Sequence, residues 1–284
     1  MKRIVSIQDI SCFGKCSLTV ALPLISAMGI ETAVIPTAVL STHTGGFTGY
    51  TFRDLTDDIP EIASHWDKLN ITFDGITTGY LGSIKQIQIV SDFFDIFKKK
   101  KEDTKIIVDP VLGDNGNFYT GFNKDFAIEM KALCKKADVI VPNMTEASFM
   151  LDIPYKTEYN ENYVKDILKK LCADDIKTAI LTGIQYGDGF HGAVAYDNEK
   201  DCFYSAFEEH IPQSVHGTGD IFSSIISGAI VKGFNLQSAI EIAVKFTVDS
   251  IRATTPEQDQ YWYGVSFESC IENLIKYEKE AENK

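Results

Sequence analysis

Basic residues are scarce in this chain: 27 lysines and arginines stand against 40 aspartates and glutamates, a formal net charge of −13. Such a surface repels nucleic acid and anionic lipid on average, so an anionic ligand has to be held by a local arrangement of donors. Proline is also sparse, 8 in 284 residues, and 44% of the residues are hydrophobic. That balance excludes a disordered chain and provides for one large core. Long hydrophobic runs are missing: no stretch reaches the roughly 18 uninterrupted apolar residues that suggest a membrane span. The apolar run after Lys2 and Arg3 breaks at Gln8 and Asp9, with no small-residue cleavage pattern behind it. These absences predict a cytosolic protein with neither nucleic acid nor membrane as a partner.

Cysteines are few and scattered, at Cys12, Cys16, Cys134, Cys172, Cys202 and Cys270. The one close pair is spaced C-x3-C and has no second Cys or His cluster to complete a zinc site, so reduced thiols packed as small apolar groups are expected. Two nucleotide signatures are absent as well. Gly14-Lys15 lacks the upstream glycine of a Walker loop, and no G-x-G-x-x-G opens a helix after a strand.

What is present is alternation. Short β-branched runs at Arg3 to Ile7, Thr32 to Leu40, Gly75 to Leu81, Lys105 to Val111, Asp138 to Pro142 and Lys177 to Thr182 read as strands. Between them, Leu18 to Met28, Ile84 to Phe97 and Phe126 to Cys134 carry apolar residues at helical spacing, and Gly29 suits a helix C-terminal cap. This pattern predicts right-handed βαβ crossovers, a mostly parallel sheet and helical layers covering it. Gly192 to Tyr196 and Cys202 to Ala206 read as an antiparallel hairpin closing one edge, and helical patterns start at Gly219, Leu236 and Phe267. With no repeat or Pro/Ser-rich linker, a single domain over 1–284 is expected. The KKKKED run at 98–103 reads as the solvated end of a helix.

Open parallel sheets bind ligands beyond the carboxyl ends of their strands. The polar residues following the apolar runs here are Asp9 and Ser11, Thr44 to Gly46, Tyr80, Asp109 to Asp114, Asn143 to Glu146, and Thr182. Gly217-Thr218-Gly219-Asp220 runs straight into the apolar stretch IFSSIISGAIV. Two glycines at a helix start aim free N–H groups outward, an anion site suited to a transferring phosphoryl group. Asp220 in the first turn could face an attacking hydroxyl, although the helix terminus should keep it ionised and a weak base. The alternative is that Thr218 and Asp220 merely cap the helix. Asp109-Pro110-Val111-Leu112-Gly113-Asp114 pairs two carboxylates about a turn, which suits Mg²⁺ or simply a turn. Asn143-x-x-Glu146 suits metal or water binding or a capping box. His43 on the STHTGG turn reads as a structural hydrogen-bonding residue, with Thr44 the better substrate contact.

Taken together, GTGD at 217–220, DPVLGD at 109–114, N-x-x-E at 143–146, TGYLGS at 78–83 and STHTGG at 41–46 resemble pyridoxal kinases of the ribokinase superfamily over essentially the whole chain. The resemblance implies a three-layer α/β/α fold, MgATP as donor, phosphorylation of the 5′-hydroxymethyl of pyridoxal, pyridoxamine or pyridoxine, and a homodimer. It makes Asp220 the catalytic aspartate and Gly217, Thr218 and Gly219 the anion hole. It places Asp109, Asp114, Asn143, Glu146 and Thr182 around MgATP, with Asp109 and Glu146 toward the metal, partly through water. Tyr119, in the flap-like GNFYTGF segment, would lie over the nucleotide, and Thr44, Gly45 and Tyr80 would line the vitamer pocket. Whether potassium assists Mg²⁺ is not fixed by these motifs.

The chain departs from that pattern at two points, reading Ser6-Ile7-Gln8-Asp9 for S-I-Q-S and T-H-T for N-H-T at 42–44. The first sets an acid beside the expected pyridine ring, where Asp9 would pair with a protonated ring nitrogen. Asp9-x-Ser11 with Gly14 also resembles the D-x-S-G segment of hydroxymethylpyrimidine kinases, which keeps a pyrimidine alcohol open. A sugar or nucleoside kinase and a non-catalytic vitamin-binding protein are the remaining alternatives.

Overall fold

The computed structural model describes residues 1–173, 175–187, 189–213, 215–254 and 262–283. Its strands are β1 (Arg3–Ser11), β2 (Glu31–Leu40), β3 (Phe52–Asp54), β4 (Gly75–Thr78), β5 (Lys105–Val108), β6 (Gly113–Asp114), β7 (Asn117–Phe118), β8 (Val139–Ile140), β9 (Thr178–Gln185), β10 (Phe190–Asp197) and β11 (Cys202–Glu209). Its helices are α1 (Leu18–Ala27), α2 (Asp58–Lys68), α3 (Ile84–Lys100), α4 (Lys124–Cys134), α5 (Met144–Met150), α6 (Glu161–Cys172), α7 (Thr218–Lys232), α8 (Leu236–Thr254) and α9 (Ile271–Glu282).

Nine strands form one sheet in the order β11-β10-β9-β8-β5-β4-β1-β2-β3. The block from β9 to β2 pairs in parallel, whereas β10 and β11 add as an antiparallel hairpin and β3 pairs antiparallel to β2. The expected parallel sheet with an antiparallel edge is therefore what forms. Alternation within strands divides the core: Val5 and Ile7 of β1 face one apolar cluster with Phe93, Phe97, Met130 and Leu168, and Ile4 faces the other with Leu24, Ile225 and Phe246. Helices α3, α4, α5 and α6 thus cover one face and α1, α7 and α8 the other.

Several elements end earlier than the sequence predicts. β4 stops at Thr78 and β5 at Val108, because the following Gly79 and Pro110 turn the chain. Helices α2 and α6 and the short β3 were not evident in the reading of apolar runs. The third C-terminal pattern begins as a 3-10 turn at Glu268–Cys270 before α9. The lysine run ends α3, as expected, yet it is not merely solvated: Lys98 pairs with Asp138 at 3.0 Å and Lys101 with Asp74 at 2.5 Å. All six cysteines are free, but only Cys134, Cys172 and Cys270 are buried, so packing as apolar groups does not hold for exposed Cys12 and Cys202. Among the described residues, no helix is long and apolar enough to cross a membrane.

The strand order reverses at β1, since the chain runs outward to β2 on one side and through β4, β5, β8 and β9 on the other. Such a switch point opens a crevice at the carboxyl ends of the strands.

Candidate active site

Asp9 lies near the carboxyl end of β1 and is almost fully buried, at 5% exposure. Its carboxylate accepts hydrogen bonds from the Ser17 hydroxyl at 2.5 Å and the Ser11 hydroxyl at 3.0 Å. Burial nonetheless pushes its pKa up, with the two serine hydroxyls acting in the opposite direction. Its charge reaches Tyr80, which follows β4, and Asp220. Tyr80 stacks on Phe122 at a centroid distance of 5.6 Å and is pushed up to about 12 by burial and then by Asp9.

Helix α7 starts without a side-chain cap. Gly217 occupies the N-cap position at φ 89°, and neither Thr218 nor Asp220 caps the backbone. Thr218 Oγ1 instead lies 3.5 Å from the Val215 carbonyl. A Cβ at Gly217 would stand 2.1 Å from the Lys15 carbonyl oxygen, so the left-handed turn and the close approach both require glycine there. Gly219 is exposed, with nothing within 4 Å of where its Cβ would be. The N–H groups of this turn are therefore left facing the crevice.

Asp220 keeps part of its surface open to the crevice, but its carboxylate is crowded by protein. Burial raises its pKa to about 7, the Ser17 backbone N–H lowers it, and the charge of Asp9 raises it again. This corrects the expectation of a weak base: desolvation and a neighbouring acid outweigh the helix terminus. A carboxylate with a pKa near 7 is suited to taking a proton at neutral pH.

On the other side of Asp220 stands Asp109, the residue after β5, at 8% exposure. Burial raises its pKa strongly, Asp220 adds to that, and a hydrogen bond from Ser223 opposes it. Glu146 is buried at 4% and likewise shifted upward, by burial and then by Asp109. The capping box predicted as one reading of Asn143-x-x-Glu146 forms: Asn143 Oδ1 accepts from the Glu146 N–H at 2.9 Å and Glu146 Oε2 accepts from the Asn143 N–H at 2.8 Å. The second carboxylate oxygen accepts from the Leu112 N–H at 3.1 Å. Glu146 thereby fastens the DPVLGD turn to α5. Asn143 Nδ2 donates to the Gly113 carbonyl at 2.9 Å, and Asn143 also bridges to Thr182, whose N–H reaches the Pro142 carbonyl at 3.0 Å.

The predicted flap is a two-stranded ribbon of β6 and β7. Asp114 is exposed there and accepts from the Asn115 backbone N–H at 2.8 Å and from Asn115 Nδ2 at 3.0 Å. Tyr119 follows the ribbon at 45% exposure, and its phenol is raised by burial and then by Glu146, Asp114, Asp109 and Asp220 in turn. One run of acidic charge therefore extends from Asp9 through Asp220 and Asp109 to Glu146, with Tyr119 over its far end.

Thr44 and Gly45 follow buried His43. His43 Nδ1 accepts from the Gly45 N–H at 3.1 Å, so its Nε2 carries the proton donated to the Tyr263 carbonyl at 2.6 Å. This is the structural role expected of it. A Cβ at Gly45 would sit 2.6 Å from His216, the residue before Gly217, which brings the turn against the start of α7. Around this mouth lies an aromatic group that the sequence reading missed: Phe13 against Tyr263 at 4.7 Å and Phe47 against Trp262 at 4.7 Å. These rings are separated by more than 200 residues and had no local signal.

Ser17 and Ser223 were also missed. Ser17 precedes an apolar helix and reads as an ordinary N-cap, yet its side chain makes no cap bond and its backbone sits at φ 54°, ψ −130°. Giving up a serine cap costs about 1 kcal/mol, and a non-glycine residue in such a conformation costs roughly 1–3 kcal/mol.

The sequence profile of the phosphomethylpyrimidine kinase family matches residues 22–263. This chain belongs to that family. A Bacteroides thetaiotaomicron protein provisionally named a phosphomethylpyrimidine kinase, crystallised with pyridoxal, is 40% identical, with a TM-score of 0.91 and 96% of each chain covered. Pyridoxal kinase from Lactobacillus plantarum is 28% identical with a TM-score of 0.88 and 99% of each chain covered. Pyridoxal kinase PdxY of Photobacterium profundum is 27% identical over 248 residues, 85% of this chain and 83% of its own. The resemblance to pyridoxal kinases and the ribokinase-like fold expected from the motifs are thus borne out. The family's name is that of the pyrimidine branch to which the Asp9-x-Ser11 segment pointed.

The acidic residues fit the divalent cation that a kinase of this family implies. Among the described residues no cationic side chain acts on Asp109 or Glu146: burial and Asp220 raise the first, burial and Asp109 raise the second, and only hydrogen bonds oppose these shifts. Among the described residues, no three His, Cys, Asp or Glu side chains converge to enclose a metal by themselves. That suits Mg²⁺, which keeps waters and takes further ligands from phosphates. With both Glu146 oxygens bound to backbone amides, its contact to such an ion would run through water.

Proposed function

We propose that this chain is an ATP-dependent kinase that phosphorylates the 5′-hydroxymethyl group of a B6 vitamer, pyridoxal, pyridoxamine or pyridoxine. The observation that carries the reading is the placement of Asp220, partly open at the glycine-lined start of α7, between Asp9 on one side and Asp109 on the other. Similarity to a protein crystallised with pyridoxal supports the choice of acceptor.

In this reading the acceptor ring lies among Asp9, Tyr80, Thr44 and Gly45, and its hydroxymethyl oxygen points at Asp220. That oxygen attacks the γ-phosphorus, the bond to the bridging oxygen breaks with its electron pair leaving on ADP, and Asp220 receives the hydroxyl proton. The amides of Gly217, Thr218 and Gly219 stabilise the charge on the equatorial oxygens. Mg²⁺, when bound near Asp109 and Glu146, neutralises charge on the phosphates. Asp114, Asn143 and Thr182 border the nucleotide, and Tyr119 covers it.

A second acceptor, hydroxymethylpyrimidine, is favoured by the family profile and by the acid at position 9, which would pair with a protonated ring nitrogen of either heterocycle. The deciding experiment measures ADP release with MgATP and each of pyridoxal, pyridoxamine, pyridoxine and hydroxymethylpyrimidine. Turnover with a B6 vitamer supports the proposal. Turnover confined to the pyrimidine transfers the assignment to that alcohol, and no acceptor-dependent turnover sinks both.

A further inference from the structure

The segment that carries Tyr80 is gripped from both ends by buried side chains. Beyond β4, the Gly79 N–H donates to the Ile7 carbonyl at 3.1 Å, and a Cβ on Gly79 would stand 2.3 Å from Gln8 Oε1. The chain therefore continues alongside Gln8 and Asp9 of β1 after the strand itself has ended. The Tyr80 carbonyl then accepts from the Thr37 hydroxyl at 3.0 Å, and the Gly82 N–H donates to Gln86 Oε1 at 2.7 Å. The other end of the same glutamine closes the circuit: Gln86 Nε2 donates to the Thr37 carbonyl at 3.0 Å and to the Thr56 hydroxyl at 2.9 Å. The Gly82 N–H can only donate and the Thr37 carbonyl can only accept, which fixes the orientation of the amide. Thr37 and Gln86 are 0% and 1% exposed.

Starting α3 does not require this arrangement. Ser83-x-x-Gln86 has the spacing of a capping box, and the Ser83 hydroxyl does accept from the Gln86 N–H at 3.2 Å. The reciprocal half is redirected, since Gln86 takes the Gly82 N–H rather than that of Ser83. The gripped segment is short, and its ring folds back over it. The Tyr80 hydroxyl and Cε1 lie 3.5 Å from where a Gly82 Cβ would be, and the ring stacks on Phe122 at 5.6 Å. The backbone at 80–82 thus decides where the Tyr80 ring sits.

We propose that Thr37 and Gln86 are positioning residues that hold the Tyr80 ring in its place at the acceptor pocket before the acceptor arrives. The proposal rests on the reading that Tyr80 lines that pocket. An unbraced 80–82 segment has to be ordered at each binding event, which weakens affinity, and the bracket orders it in advance.

Calorimetric titration with pyridoxal and with hydroxymethylpyrimidine, in the absence of nucleotide, tests it apart from turnover. Thr37→Val keeps the β-branched shape and the carbonyl but removes the hydroxyl. Its Kd for the ring that the wild type binds should rise about tenfold, with the affinity for a non-hydrolysable ATP analogue unchanged. Thr37→Ser should restore the ring affinity. The losses in Thr37→Val and Tyr80→Ala should not multiply in the double variant, because the hydroxyl acts through the ring. Wild-type ring affinity in Thr37→Val, or equal weakening of ring and nucleotide, would assign the bracket to the fold alone and overturn the proposal. A wild type that binds neither ring overturns it as well. Ring binding weakened by Thr37→Val in a protein that releases no ADP would leave this inference standing and remove the kinase reading.

The bracket can also be read without either ring. In wild-type protein labelled with 15N-glycine, the Gly82 amide should exchange its proton slowly with solvent. Thr37→Val, which removes no atom bonded to Gly82, should speed that exchange severalfold, because both bonds hold one segment. Exchange at Gly82 as fast as in an unstructured loop overturns the bracket itself.

Discussion

Ser223 stands one turn of α7 beyond Asp220: its hydroxyl donates to the Asp220 carbonyl at 3.5 Å, and it is the group that opposes the upward shift of the buried Asp109 carboxyl. The acid on the strand side is thereby linked to the helix that carries the acid facing the acceptor. Asp109, Asp220 and Glu146 all titrate above their ordinary values of 3.8, 3.8 and 4.5.

Those shifts fix a pH dependence. A carboxyl raised in the folded state holds its proton where the unfolded chain has lost it, so the folded state binds more protons and stability falls as pH rises. The contribution is fully present below pH about 4, near the ordinary carboxylate range, and for Asp220 is lost as pH passes about 7. His43 and His191, both lowered chiefly by burial, act with the opposite sign near neutrality, so the acids have to be isolated by difference. Asp109→Asn should therefore flatten the fall in melting temperature expected of the metal-free wild type between pH 5 and 8. Added Mg²⁺ should raise the wild-type melting temperature more at pH 8 than at pH 6, and this preference should shrink in Asp109→Asn. An equal Mg²⁺ response at both pH values would refute the assignment of the ion to these carboxylates.

The two glycines of the α7 start should fail differently. Gly217→Ala forces a Cβ to 2.1 Å from the Lys15 carbonyl at a φ of 89°. We expect it to lower stability by roughly 1–3 kcal/mol or to shift the turn, visible in urea unfolding. Gly219→Ala meets nothing within 4 Å, so its melting temperature should stay near wild type. Its methyl nevertheless enters the space where a phosphoryl oxygen would be held, and kcat should drop by about 10²-fold. A folded and fully active Gly219→Ala would place the anion hole elsewhere.

The sheet was legible because its central strands are buried on both faces and read as short continuous β-branched runs, told from buried helix by their length and by the Gly and Pro that end them. The amphipathic α2 and α6 carry their apolar residues among many charges and were passed over. At the site, GTGD announced itself through glycines whose backbone requirement is local. The upward shift of Asp220 was not legible, since it arises from burial and from Asp9, more than 200 residues away. Ser17 was hidden for a related reason: a serine before an apolar helix has a common reading, and only the fold brings Asp9 close enough to take its hydroxyl.

Glu146 should prove as much a structural residue as a functional one. Its two oxygens satisfy the Leu112 and Asn143 amides, and it is buried at 4%. Glu146→Ala leaves both donors unpaired, a cost of about 2–6 kcal/mol at 1–3 kcal/mol for each buried group. Glu146→Gln keeps an acceptor oxygen and should cost less than half of that in chemical denaturation. Both variants should weaken the Mg²⁺ dependence of turnover, the glutamine because it lacks the charge. Equal stability of the two would mean that the capping box contributes nothing to the fold.

The acid at position 9 should set acceptor preference through charge. Its carboxylate is met by the Ser11 and Ser17 hydroxyls and its own backbone N–H, with no cation among the described groups acting on it, and burial raises its pKa. A protonated ring nitrogen would relieve that burial by supplying the missing positive charge in a charge-assisted hydrogen bond. Replacing it in Asp9→Ser should weaken acceptor binding by about 10-fold or more at a pH where the ring is protonated, since hydrogen bonds to charged groups contribute roughly 1.5–3 kcal/mol. As pH rises and the ring loses its proton, the wild type loses its advantage and the two affinities should converge. Isothermal titration across pH, with a vitamer and with its N-methylated analogue, reads this directly: the methyl keeps the positive charge but removes the donor. If wild type and Asp9→Ser bind the parent vitamer equally at every pH, Asp9 does not read the ring, and its two serine partners serve only to keep a buried acid in place.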